Sequence, residues 1–278
     1  MPDQAKKLNV SEHPQDSGGA ATKSSPRPAA GFSPLPPRMA VPETQETCLL
    51  RALRASSTEE RELFAHRGLS RPSDDPEMTA LLLRQLYLVH LERLEYGDAL
   101  RVADEMVELG ELGDVARQDA ARAAMGLGLV EIAAGHLRIA ARICPTDRRA
   151  FHLGTLGALL RFGGRPQEAV DAFSRASRWA TKDRSLYRAQ QVLCETEAQL
   201  ELSANPESLR QNLESEEGAR GYTLWVLGEL CALLGDREAS RRYLTSFLSR
   251  TAGASPAKSL ALQGEIARAE ALLHELSA

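Results

Sequence analysis

The chain has 278 residues, 43% of them hydrophobic and 26% charged but only 5% aromatic, with a formal net charge of −4. Enough apolar material is present for one sizeable core, yet no window approaches the ~20 apolar residues of a membrane-spanning helix. A mildly acidic balance argues against a protein whose main contact is a nucleic-acid backbone, because that contact needs clustered cations.

Residues 1–42 hold eight of the fourteen prolines, with Gly18, Gly19 and several serines between them. Such a segment buries too little apolar area to offset chain entropy, so it reads as a disordered leader. Within it, Pro34-Leu-Pro-Pro37-Arg38 fits a polyproline II stretch. The leader starts Met-Pro-Asp-Gln-Ala-Lys-Lys and has no apolar stretch of the secretory kind. The four cysteines, Cys48, Cys144, Cys194 and Cys231, form no CxxC pair and read as buried thiols. Together these features predict a cytoplasmic protein, and the dominance of arginine over lysine suggests a bacterial one.

From Glu43 the pattern turns helical, in keeping with the abundance of Leu, Ala, Arg and Glu. Residues 43–77 read as capping helices: Leu49, Leu50 and Leu53 mark one, and Ser57-Thr-Glu-Glu60 offers a capping box ahead of Leu63, Phe64 and Leu69. Asp75 then reads as an N-cap, with Pro76 at the first helical position. Over residues 78–250 helix pairs recur. Leu82, Leu83, Leu86 and Val89 mark one helix, and Ala99, Ala103 and Met106 its partner. The second pair runs from about Ala116 to Ile143, the third from Ala150 to Asp183. The fourth begins near Arg184 with Asn205-Pro206 opening its second helix, and the fifth runs from Gly221 to about Arg250. Residues 251–278, with Leu260, Leu262, Ile266, Ala269, Leu272 and Leu276, suit one last helix that closes the apolar end of the stack.

Two stretches spell one unit twice: Leu153-Gly-Thr-Leu-Gly157 with Gly164-Arg-Pro-Gln-Glu-Ala169, and Leu224-Trp-Val-Leu-Gly228 with Gly235-Asp-Arg-Glu-Ala239. Counted from Ala80, Ala116, Ala150, Arg184 and Gly221, the units repeat at 36, 34, 34 and 37 residues. This spacing resembles the tetratricopeptide repeat, a 34-residue helix-turn-helix. In the third unit Leu153, Leu156, Gly157, Leu160, Ala169, Phe173 and Ala176 fall on that family's signature positions. The fifth keeps Leu224, Leu227, Gly228, Ala239 and Tyr243. The first has Tyr87 where Gly is usual, the second has Gly135 at the signature Ala, and the fourth has Gln191 at the Gly position. The resemblance implies an all-α solenoid of about five helix pairs.

It also implies a concave groove, lined by the first helix of each pair, that holds a peptide or a helix of another protein. By position the lining would include Arg84, Leu88, Arg117, Phe151, Arg161, Arg188, Tyr222, Trp225 and Glu229, a mixture of arginines and aromatics suited to a partly acidic, hydrophobic segment. The Lys and Asn with which some family members clamp a terminal carboxylate are replaced here by Arg84 with Leu88, Ala120 with Ala124, and Gly154 with Ala158.

The histidines show no HExxH or other ligand spacing, and no metal or cofactor site follows. There is no GxSxG elbow, phosphate loop or strand-led GxGxxG. The sequence therefore predicts a binding adaptor and no enzyme. The alternative is a regulator that contacts nucleic acid or a signalling component through Arg117, Arg122, Arg138, Arg142, Arg148 and Arg149.

Overall fold

A computed structural model describes residues 43–72, 75–215 and 221–277. The leader and its Pro34–Arg38 motif lie outside the described residues, as does part of the acidic run Glu214–Glu217. Among the described residues there are fourteen helices and no strand.

The first pair is α1 (Gln45–Arg54) and α2 (Thr58–Leu69). Five further pairs follow: α3 (Pro76–Glu92) with α4 (Tyr96–Leu109), α5 (Gly113–Gly126) with α6 (Val130–Ile143), and α7 (Thr146–Phe162) with α8 (Pro166–Trp179). The fourth is α9 (Arg184–Glu197) with α10 (Pro206–Ser215), and the fifth α11 (Thr223–Leu233) with α12 (Arg237–Thr251). Each helix through α9 packs chiefly on its sequence neighbours, which makes the molecule an all-α helix-turn-helix repeat solenoid.

The starts of several helices follow from local chemistry. The Asp75 carboxylate accepts from the Glu77 and Met78 amides, and Asn205 Oδ1 accepts from Glu207 and Ser208. At Ser57 only half of the expected capping box forms: its hydroxyl accepts from the Glu60 amide, but the Glu60 carboxylate turns to Ser56 instead.

Within each of the five pairs the first helix ends in the same way. Leu94, Gly128, Gly164, Gln199 and Gly235 all take a left-handed conformation, with φ between 56° and 77°. The next amide then donates to the carbonyl five residues back, as in Arg165 to Leu160 at 2.9 Å and Glu95 to His90 at 2.8 Å. This is a Schellman closure, which satisfies the last helix carbonyls and turns the chain into its partner helix. The pair contact is close where the repeat motif is strong. A Cβ added to Gly157 would lie 2.8 Å from the Phe173 ring, so that glycine lets α7 and α8 meet. Leu153, Leu156, Leu160, Ala169 and Ala176 are all buried beside it.

The C-terminal region departs from the sequence reading. It is two helices, α13 (Pro256–Ala261) and α14 (Gln263–Ser277), separated by a break at Leu262. Only α14 packs on the last pair, through Ala269 and Leu272. The short α13 reaches α3 and α5 at the other end of the repeat array, where Leu260 joins the apolar cluster of Leu83, Tyr87, Ala116 and Ala120. The segment is thus a strap across the first helices as well as an end cap.

Candidate functional site

The first helices α3, α5, α7, α9 and α11 are tied together by polar rungs, most of them linking residues about one repeat apart. Arg84 Nε donates to Asp119 at 2.8 Å. The two ring nitrogens of His152 lie 2.9 Å from Gln118 and 2.8 Å from Asp114. The Tyr222 hydroxyl is 3.0 Å from the Gln190 side-chain amide and donates to Glu265 on α14 at 2.8 Å. Arg161 is the most elaborate rung: its guanidinium bridges Glu197 on α9 at 2.5 Å and Glu229 on α11 at 2.6 Å.

Burial governs the electrostatics of these rungs. It lifts Asp119 above the ordinary carboxylate range, against the pull of Arg84 and Arg122. Glu229 is lifted in the same way, against Arg161. Burial works against the Arg161 charge too, but Glu229 and Glu197 together outweigh it and hold the guanidinium protonated. Glu265 is raised by burial although Tyr222 donates to it, and Tyr222 is pushed well up by burial and by Glu265.

Between these rungs lies a cavity of about 370 Å³. Helix α5 contributes Gln118, Arg122 and Met125, and α7 contributes Phe151, Gly154, Thr155 and Ala158. Leu186, Tyr187 and Gln190 of α9 close the far side with Tyr222, while Ala261, Leu262 and Glu265 of the strap form the roof. The space exists because α7 carries small residues: the Tyr187 ring lies directly on the face of Gly154. Burial, then the Asp183 charge, pushes the Tyr187 phenol up to about 12, so it stays neutral. Phe151 is 53% exposed at the mouth, in edge contact with His152. The surface is chiefly apolar, with a few convergent polar groups, as ligand-holding pockets generally are.

The residues named from the sequence fall into four groups. Phe151 and Tyr222 line this cavity. Arg84, Arg161 and Glu229 are inter-repeat rungs, with their charges consumed inside the protein; Arg161 and Glu229 also edge a second, more polar cavity beside α14. Trp225 is fully buried against Phe162 and Phe247, because α11 is apolar on nearly every side, and so it does not line the groove. Leu88 packs at the edge of the α3–α4 core, Arg117 contacts His136, and Arg188 is exposed without an ion pair among the described residues. Gln118, Tyr187, Gln190 and the strap residues were not foreseen, although Gly154 and Ala158, at the family's clamp positions, were the signal of open space there.

The arginines of the nucleic-acid alternative do not make a common cationic face. Arg122 pairs with Asp119, Arg138 with Glu168 and Arg148 with Asp114, while Arg149 stacks on Trp179. Arg142 is exposed. Elsewhere His90, Glu95 and Asp98 bring three ligand-type atoms within 4.8 Å of one another at the α3–α4 turn, with His90 already hydrogen-bonded to Glu95.

No protein-family model matches the chain, and no curated protein matches its sequence. Among solved structures, that from the functional characterization of Pseudomonas aeruginosa pilF is similar to it, with a TM-score of 0.54 at 14% identity over 79% of this chain and 97% of that one. At that identity the likeness concerns the fold, an all-α repeat solenoid.

Proposed function

We propose that the chain is a cytoplasmic adaptor of the tetratricopeptide-repeat type that holds a segment of a partner protein on its concave face. One apolar side chain of that segment enters the cavity between α5, α7 and α9. The observation that carries this reading is the cavity itself: a preformed apolar recess, with the exposed Phe151 at its mouth, on the face formed by successive first helices. A rigid recess of this kind supplies affinity because little has to be ordered when the partner arrives.

Two further features support the reading. The ionisable groups beside the cavity are engaged with one another, Arg122 with Asp119, Tyr222 with Glu265, and His152 on both ring nitrogens, which favours binding over turnover. All four cysteines are buried and unpaired, as suits a reducing compartment. No helix of the described residues is long and apolar enough to cross a membrane.

The test is affinity capture from the native host with the wild-type chain, an Ala158→Phe variant that fills the cavity, and an Arg142→Glu variant on an exposed position of α6. Helical content and cooperative melting are verified first. A partner retained by wild type and Arg142→Glu but lost by Ala158→Phe supports the cavity as its anchor. A partner that all three retain equally contradicts it.

A further inference from the structure

The strap covers part of the face on which the proposed function places a partner, and its hold is light. Helix α13 has six residues, of which only Leu260 is buried; Lys258 is exposed, and Gly253 with a positive φ precedes the segment. Helix α14, by contrast, is anchored through Ala269 and Leu272 in the core of the last two pairs. The seat of Leu260 and the cavity are joined through the strap itself: Leu260 clusters with Ala116 and Ala120 of α5, and the next two residues, Ala261 and Leu262, line the cavity with Gln118, Arg122 and Met125 of another face of that helix. Leu260 fills the one and Leu262 roofs the other.

We infer that α13 is an intramolecular stand-in for the partner, seated in the partner's place. The occupant this face takes is then a short segment of another protein whose helix ends with one aliphatic side chain and which presents a second two residues later, just past the helix end, as Leu260-Ala-Leu262 does. This rests on the reading of the concave face as the binding face. The tether holds α13 at an effective concentration of order millimolar, so a free segment binds the closed chain with an affinity reduced by the fraction of chains that are open.

The probe is a fluorescein-labelled peptide of residues 252–266, titrated by fluorescence anisotropy against the full chain. Wild type is compared with Leu260→Ser/Leu262→Ser, which releases the strap, and with the conservative Leu260→Met. The released chain should bind at least tenfold more tightly than wild type, Leu260→Met should behave as wild type, and a peptide carrying both serines should not bind. Equal affinity for wild type and the released chain, or no binding to a released chain that still melts cooperatively, overturns the inference; if the double variant melts without cooperativity, Leu260→Ser alone takes its place. A strap-exchanged wild-type dimer in sedimentation also overturns it, because the seat then belongs to a second copy. Hydrogen exchange adds an independent check: α13 amides should exchange faster than those of α14, and equal protection contradicts a light hold. Ala158→Phe leaves the α3–α5 seat untouched, so failure here and failure of the cavity reading are separable.

Discussion

At the scale of single residues, the left-handed closures are the most regular feature of the molecule, yet two of the five lack glycine. Leu94 and Gln199 sit at φ 62° and 56°, where a side chain crowds the following carbonyl at a cost of roughly 1–2 kcal/mol. Leu94 is also largely exposed. Leu94→Gly should therefore stabilise the chain by up to about 1 kcal/mol, the unfolded-state entropy of glycine offsetting part of the relief; urea denaturation measures it, and a loss of stability contradicts the strain. Arg161 presents the opposite case. Removing it strands the buried Glu229 and takes from the exposed Glu197 its ion-pair partner, so Arg161→Met should cost about 3–5 kcal/mol, chiefly through Glu229. Adding Glu229→Leu should restore part of that, since the remaining cost is the stranded charge. Glu265 carries a pH signature. Its folded pKa lies above its unfolded value, so its contribution is most favourable below the unfolded value and is lost as pH rises through the folded one. Tyr222, Arg161 and Glu229 all act on it. Glu265→Gln should accordingly be more stable than wild type at pH 8, with the gap closing near pH 4. A gap that persists at pH 4 contradicts this assignment. Burial also pushes the Cys194 thiol up to about 12 and Cys231 to about 11. Both should resist alkylation at pH 8 until the chain unfolds.

Helix by helix, the sequence was informative wherever a short-range rule decides the outcome. The strong motif of the third unit positions α7 and α8 because Gly157 has one physical task, to admit the Phe173 ring. Gly157→Ala should cost about 1–3 kcal/mol by overpacking, read as a shift in the thermal midpoint. The first and fourth units looked irregular because Tyr87 and Gln191 stand where glycine is usual, yet their pairs close through the same left-handed turn at Leu94 and Gln199. A turn conformation can outlast the residue type that signals it. The strap was not legible for a different reason. Leu260 through Leu276 has an apolar pattern compatible with one helix, and nothing local tells that Leu260 packs on α3, some 170 residues earlier in the chain. Gly264 was the available clue: it brings the Phe162 ring against the start of α14, a contact that a continuous end cap would not need.

For the whole molecule, the same limit explains what happened to the candidate site. Repeat position says which residues face the concave side, but not which of them a neighbouring repeat has already claimed. Arg84, Arg161 and Glu229 were placed on the right helices and are spent between repeats, whereas Phe151 and Tyr222 remain at the cavity. Trp225 shows the reverse: as the largest fully buried side chain it belongs to the core, so its substitution reports on folding and not on binding. What remains is a solenoid stiffened by buried ion pairs, with a recess between α5, α7 and α9 partly covered by its own C-terminal segment. The central claim is that this recess is where a partner protein is held. Its most direct test is hydrogen exchange by mass spectrometry on the full chain with and without a captured partner. The account predicts new protection along α5, α7 and α9, with faster exchange in α13 as the strap gives way. Protection confined to the second helices α4, α6 and α8, with no change around Phe151 and Tyr187, would contradict it.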